Sequence, residues 1–326
     1  MVESGNSPFH AGEREAQVRA GVRERAERAG ERAIRDHMPD QHRTFFAQLP
    51  MLLAGTVDAD GNPWASVLAG RPGFVSSPDE RTLRIAAPPL FGDPLGGTLA
   101  VGADIGLLGV EPHTRRRNRA NGKVIALDDS GIEVRIMQSF GNCPQYIQTR
   151  TFDVSDDIDA VGAARPLAQF DTLDCFARDL IAAADTLFIA TSFRGEAAGG
   201  VDVSHRGGKP GFVRIDGGHT LVVPDFAGNS YFNTFGNLMR NPRAGLLFID
   251  FDDGDLVYLT GTTEIVWDGE EVRRFAGAQR LLRFHLTEGR RVTGALPLRW
   301  SFGDYSPLLA RTGAWRVAAE AIAPRP

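Results

Sequence analysis

Apolar residues in this chain come mainly in short runs closed by polar turns, the pattern of β-strands rather than long helices. Met51–Val57 is one such run, and it ends in Asp58-Ala-Asp-Gly61, a hairpin signal that sends the chain back through 64–68. Segments 82–87, 105–110 and 132–137 read as further strands. The later half repeats the pattern at 187–191, 211–215, 220–223, 244–251 and 256–261, with a turn at Asp253-Gly254, and 280–292 alternates loosely enough to add another strand. Short strands at regular spacing between Gly-rich turns predict small antiparallel barrels, whose closure removes exposed sheet edges.

Helical patterning is sparse. Residues 11–36 are rich in Glu and Arg, with Glu15→Arg19, Glu24→Arg28 and Glu31→Arg35 at i,i+4. Val18, Val22, Ala26, Ala29 and Ala33 form a thin apolar stripe, predicting a solvated helix packed on the first barrel. An acidic linker covers 153–159, after which Asp171 is placed to cap a helix that buries Leu173, Phe176 and Leu180.

The two β-rich halves resemble each other. Pro72-Gly-Phe-Val75 recurs as Pro210-Gly-Phe-Val213, 138 residues later, and Ser66, Gly70 and Thr82-Leu83 fall opposite Ser204, Gly208 and Thr220-Leu221 at the same offset. Ile105-Gly-Leu-Leu108 and Asn121-Gly122 fall opposite Ala244-Gly-Leu-Leu247 and Thr260-Gly261 at 139. A common offset that drifts by one residue marks a duplicated module. The predicted organisation is an N-terminal helical arm over 1–42, a first barrel over 43–152, a linker and helix over 153–182, and a second barrel with a C-terminal extension over 183–326.

Length agrees with two domains, since 326 residues at roughly 150 per domain make about two. Lys+Arg of 36 against Asp+Glu of 41 leaves −5, which argues against a protein built to grip nucleic acid. No apolar run is long enough to span a bilayer, and the first residues lack the apolar core of a signal peptide, so a cytoplasmic location is expected. Cys143 and Cys175 are too few for a disulfide framework or a thiolate zinc site.

Comparing the copies isolates candidate chemistry. Where the first reads Ser66-Val-Leu-Ala-Gly70-Arg-Pro-Gly, the second reads Ser204-His-Arg-Gly-Gly208-Lys-Pro-Gly, gaining His205, Arg206 and Lys209 around two glycines. Glycines let backbone approach a ligand, and Arg and Lys supply countercharge for phosphate. Downstream, Asn229, Asn233, Thr234 and Asn237 open a predicted helix beside this basic turn, an arrangement suited to a mononucleotide phosphate. The basic run His113-Thr-Arg-Arg-Arg-Asn-Arg119 falls where the second copy has an Asp-rich hairpin and reads as a solvated turn.

Val203-Ser-His-Arg-Gly-Gly-Lys-Pro-Gly-Phe-Val213, Pro224-Asp-Phe-Ala-Gly-Asn229, Asn233-Thr-Phe-Gly-Asn237 and Asn241-Pro-Arg-Ala-Gly-Leu-Leu-Phe248 together resemble the pyridoxamine 5′-phosphate oxidase-related FMN-binding split-barrel family. The resemblance implies a mainly β fold with flanking helices: two tandem split β-barrels pairing as an intrachain pseudo-dimer, with FMN in the groove between them and a lapsed site in the first copy. It implies that Ser204, Arg206, Lys209, Asn229, Asn233 and Thr234 surround the FMN phosphate and ribityl chain. Asn237 is a further contact, Arg214 approaches from beneath, and segment 141–150 closes over the ring. The implied function is an FMN-dependent oxidoreductase acting with a small organic substrate or a reduced nicotinamide, the alternative being a non-catalytic flavin or haem carrier or sensor. A homodimer is left open. The family's Arg-x-His substrate element near the C-terminus is not identified here, so vitamin B6 oxidation is not carried over.

Other chemistries find little support. Ser204 and His205 are adjacent on a strand and point to opposite faces, so they cannot pair as nucleophile and base. His205 stays a candidate proton donor or ligand-binding group. The histidines show no metal-ligand spacing, the aspartates around Gly254 fail the calcium-loop pattern, and no dinucleotide-binding Gly-x-Gly-x-x-Gly follows a strand.

Overall fold

A computed structural model describes residues 7–129, 131–155, 158, 162–196 and 198–315. Residues 156, 157 and 159 of the acidic linker therefore lie outside the described residues. The arm forms α1 (Ala11–Arg19), α2 (Arg23–Ala33) and α3 (Asp40–Ala47). The first copy contributes β1 (Met51–Val57), β2 (Pro63–Ala69), β3 (Val75–Asp79), β4 (Thr82–Ile85), the single-turn α4 (Leu95–Thr98), β5 (Asp104–Glu111), β6 (Arg116–Asp128) and β7 (Gly131–Asn142). Then come β8 (Arg150–Val154), β9 (Leu167–Phe170) and α5 (Cys175–Ala183). The second copy contributes β10 (Thr186–Phe193), β11 (Gly200–Gly207), β12 (Arg214–Asp216), β13 (Thr220–Asp225), α6 (Asn233–Leu238), β14 (Arg243–Ile249), β15 (Leu256–Val266), α7 (Glu270–Arg274) and β16 (Arg280–Val292). The final strand, β17 (Leu298–Phe302), pairs with β8.

The first sheet runs β2-β1-β5-β6-β7-β4-β3 and the second β11-β10-β14-β15-β16-β13-β12, with β9 added on β16. Adding nine to each strand number of the first order produces the second. The register repeats as well. Leu53 pairs with Leu108 as Phe188 pairs with Leu247, and the β6–β7 ladder slips at Asn121/Gly122 as the β15–β16 ladder slips at Thr260/Gly261. A Cβ on Gly122 would lie 1.9 Å from the Arg135 carbonyl oxygen, and one on Gly261 2.0 Å from that of His285. Both copies thus need glycine at the bulge that bends the sheet. The fold is two tandem split β-barrels.

The copies pack face to face about a pseudo-two-fold. Leu53, Val67 and Leu108 share one core with Phe188, Val203 and Leu247. Gly106 lets β5 approach the Val201 carbonyl oxygen, and its counterpart Gly245 lets β14 approach that of Pro63; a Cβ would lie 2.5 and 2.4 Å away, respectively. Counterparts differ after the bulge: Arg135 corresponds to His285, an offset of 150 against 139 before it. The second copy therefore carries 11 more residues (150 − 139) between its last two long strands, and these include Trp267 and α7.

The arm departs from the expected helix. It breaks at Gly21, whose φ of +67° only glycine adopts at low cost. The expected apolar stripe docks only in part: Ala26 is buried in a cluster with Phe140 of the first barrel and Ala33 packs against it, whereas Val18 is 64 % exposed, Ala29 is exposed, and α1 buries Gly12, Glu13, Ala16 and Gln17. Nor does α1 rest on the first barrel; it packs on α6 of the second. Glu15 bonds Arg240 at 2.7 Å while Arg19 stacks over Trp267, because tertiary partners outcompete a weak i,i+4 pair. The N-cap of α5 is Asp174, accepting from Ala177 N at 2.7 Å, rather than Asp171, and this turns Phe176 outward under Arg291.

The first copy's own groove is filled by its chain. Ser66, Val67 and Leu68 stand where the second copy has Ser204, His205 and Arg206, and Leu90 packs there with Val67, Leu256 and Val292. Asp93 enters the same space and accepts from Leu95 N at 2.7 Å and Val67 N at 3.3 Å. Burial pushes its carboxyl from 3.8 up to about 6, against the opposing pull of those hydrogen bonds. Between these values the folded chain holds a proton that the unfolded chain has shed, so stability falls as pH rises through the window. The loss totals about 3 kcal/mol by neutral pH and is absent below 3.8. Urea unfolding at about pH 4 and pH 7 is expected to show this component, and Asp93→Asn to remove it. An unchanged slope in that variant would refute the assignment.

Candidate functional site

The groove that stays open lies between β6 of the first copy and β11 of the second. It encloses about 110 Å³, with Ser204, His205 and Arg206 from β11, residues 225–235 from the β13–α6 connection, and Gln279 and Arg280 at the start of β16. The first copy supplies Leu108, Arg117, Arg119 and Asn142. A contiguous hollow of about 60 Å³ shares Arg117, His205, Arg206 and Phe226 and adds Gln145 and Tyr146, whose ring lies 5.1 Å from that of Phe226.

Segment 141–150 thus borders the site from the first copy. Of the residues singled out in the sequence, Ser204, His205, Arg206, Asn229, Asn233 and Thr234 line the main cavity. Three others do not. Lys209 lies beyond the end of β11, its Nζ 3.5 Å from the Thr312 carbonyl oxygen. Arg214 is bound to Asp216 and Glu271 and stacks on Trp315. Asn237 is buried behind the wall, donating to Asp202 at 2.9 Å and to Thr191 at 3.1 Å. Neither glycine of the basic turn admits a ligand: a Cβ on Gly208 would strike Phe212, as one on Gly70 would strike Phe74, and one on Gly207 would strike the Tyr146 carbonyl oxygen.

The basic run of the first copy is not a solvated turn throughout. His113 and Thr114 are exposed, but strand alternation aims Arg117 and Arg119 into the cavity. Arg280 was also missed; it begins β16, directly after the 11-residue insertion. Their arrangement is strongly cationic. Asp225 holds both Arg206 and Arg280, while Asp202 holds Arg119, which also donates to Ser204 and to the Val203 carbonyl oxygen. Among the described residues Arg117 has no carboxylate partner; it donates to the Cys143 carbonyl oxygen at 2.7 Å and to His205 Nδ1 at 3.1 Å. Four guanidiniums against two carboxylates leave an excess of two positive charges. Burial lowers Arg117 to about 10, so it stays charged at neutral pH. Arg119 Nε, Arg280 Nε and Asn142 Nδ2 are buried without a hydrogen-bond acceptor. Unmet donors and excess positive charge on one wall specify an anion.

His205 is held neutral here. Burial, reinforced by Arg117, Arg206 and Arg150, lowers its pKa well below the usual 6.5. Arginine only donates, so Nδ1 carries the lone pair and Nε2 the proton. His205 is therefore a neutral hydrogen-bond donor at neutral pH.

Two split barrels thus share one cationic cavity, lined by side chains of both copies. Residues 174–302, which include most of the second copy, match the family model for pyridoxamine 5′-phosphate oxidase. No curated protein matches the chain. Similar solved structures include HupZ from Group A Streptococcus (17 % identity, 35 % of this chain and 89 % of that one, TM-score 0.29). A FAD-binding protein from Mesorhizobium loti matches at 15 % identity, over 39 % of this chain and 98 % of that one, with TM-score 0.27. HutZ, the heme storage protein from Vibrio cholerae, matches at 19 % identity, over 38 % and 96 %, with TM-score 0.26. Among the described residues no helix is long and apolar enough to cross a membrane, and no group of His, Cys, Asp or Glu is placed to hold a metal.

Proposed function

We propose that this chain is an FMN-binding flavoprotein, working as an oxidoreductase with a small organic substrate or a reduced nicotinamide. The observation that carries the reading is the doubly positive cavity built by both copies. A phosphomonoester close to dianionic at neutral pH balances that excess and meets donors that otherwise lack acceptors. Arg206, Arg280, Asn229, Asn233 and Thr234 would hold the phosphate end, with Ser204, Arg117 and Arg119 along the chain leading from it. The enclosed 110 Å³ is below the roughly 300–1,000 Å³ of sites that bury a whole ligand. The flavin ring is therefore assigned to the adjoining hollow and its mouth, against Tyr146 and Phe226. Bound FMN would supply hydride and electron transfer, while the protein anchors and orients it.

The haem alternative meets a specific obstacle. An axial histidine needs a bare ligating nitrogen, with its other N–H donated to an acceptor. His205, the histidine in this cavity, has Nδ1 facing Arg117, a donor, which leaves the proton on the nitrogen that would bind iron.

The purified protein is expected to be yellow with flavin fluorescence, and Arg206→Ala to lose the pigment. Colourless protein that takes up no added FMN would refute the proposal, and a Soret band in its place would establish haem. Anaerobic bleaching by NADH or NADPH identifies a nicotinamide as the electron source; bleaching only by an organic donor assigns that role to the substrate.

A further inference from the structure

The arm carries polar side chains on the face where a docking helix ordinarily buries apolar ones. His10 caps α1 and, with Glu13 and Gln17, is buried. Two glycines bring α1 onto α6: a Cβ on Gly12 would lie 2.2 Å from the Gly236 carbonyl oxygen, and one on Gly236 2.6 Å from Glu13 N. At that separation Glu13 reaches the back of the cavity wall. Its Oε1 accepts from Asn233 Nδ2, and its Oε2 accepts from His10 N at 2.9 Å. Gln17 Nε2 donates to the Tyr231 carbonyl oxygen at 2.9 Å, just before α6. His10 Nε2 lies 2.9 Å from Asn237 Oδ1, and Asn237 in turn binds Asp202, the carboxylate that holds Arg119.

Buried polar contacts of this kind need a reason, because an apolar seam would dock the helix at lower desolvation cost. Burial pushes the Glu13 carboxyl well above its ordinary range, and nearby Asp202 adds to this. A side-chain amide has a broad, nearly two-fold terminal torsion, so an untethered Asn233 would present donor or acceptor to the cavity at random. A carboxyl behind it accepts one N–H and removes that freedom.

We infer that Glu13, carried on the N-terminal arm, is a positioning residue for the cavity, holding the Asn233 amide from behind so that its remaining N–H faces the anion. The arm thereby becomes part of the site without touching the ligand, by lowering the entropy cost of binding. The inference rests on the flavin reading for its ligand, and it has one consequence independent of any ligand.

The test compares Glu13→Ala, Glu13→Gln, Asn233→Ala and the double variant Glu13→Ala/Asn233→Ala in the full chain, with FMN binding followed by fluorescence quenching. Glu13→Ala is expected to weaken FMN roughly tenfold and Glu13→Gln, which keeps an acceptor oxygen, by at most about twofold. The double variant should bind no worse than Asn233→Ala alone, since the second loss acts only through the first. In the ligand-free protein the Asn233 side-chain amide should give two well-separated proton signals that converge in Glu13→Ala. Wild-type affinity in Glu13→Ala, or the same loss repeated in the Asn233→Ala background, overturns the inference, the latter by revealing a general packing role. If wild-type protein binds no FMN, the flavin reading falls alone. The Asn233 amide signals then decide the positioning role, and signals that do not change in Glu13→Ala overturn it.

Discussion

Valine at Gly245 is expected to cost the protein about 3 kcal/mol or more and to abolish ligand binding together with fold stability. The new side chain would start 2.4 Å from the Pro63 carbonyl oxygen and 2.6 Å from Trp64 Cα, both backbone atoms of the opposite copy. Neither can swing aside as a side-chain tip would, so β14 must withdraw from β2 and open the core that joins the copies. Gly106→Val is the same experiment on the other side of the pseudo-two-fold, against the Val201 carbonyl oxygen. Comparable melting losses in the two variants are the signature of the shared packing. Gly97→Ala, where a Cβ meets nothing within 4 Å, is the control and should melt as wild type. A Gly245→Val protein of undiminished stability would refute the face-to-face arrangement.

Arg117→Met is expected to weaken FMN binding roughly 100-fold without lowering the melting temperature of the ligand-free protein. Both halves follow from one fact: this guanidinium is desolvated and has no carboxylate partner among the described residues. Removing it relieves an unpaired charge in the folded state, and methionine keeps much of its apolar volume. Without ligand, then, the variant should be at least as stable as wild type. With ligand, it loses one of the two uncompensated positive charges. Binding titration and thermal melting on the same preparation separate the effects. A variant that melts lower but binds normally would place Arg117 in the framework rather than the site.

That prediction concerns a residue of the first copy, which the sequence reads as a lapsed site. Of the second copy's gains over the first, His205, Arg206, Asn229, Asn233 and Thr234 come together in the cavity. The same comparison run backwards would have found Arg117 and Arg119, which stand opposite Leu256 and Tyr258 of the second copy and alternate along a strand. Arg280 begins β16, and only the pairing of that strand with β13 brings it to Asp225 and the cavity. Lys209 and Arg214 look no less basic than Arg206, and only the course of the chain beyond β11 shows that they lie outside. The stripe on the arm misled at Val18 for a related reason: α1 docks through hydrogen bonds, to which a count of apolar positions is blind.

The duplication, the strand content, the turn glycines and the chemical bias of the later half follow from sequence alone, because each depends on neighbours a few residues apart or on comparison at a constant offset. Which arginines face one another, which carboxylates they keep, and that Glu13 reaches Asn233 across 220 residues of chain were decided by tertiary structure. A site between two packed sheets is assembled from residues whose sequence separation carries no local signal. Its charge balance, on which ligand choice depends, exists only once those sheets have met.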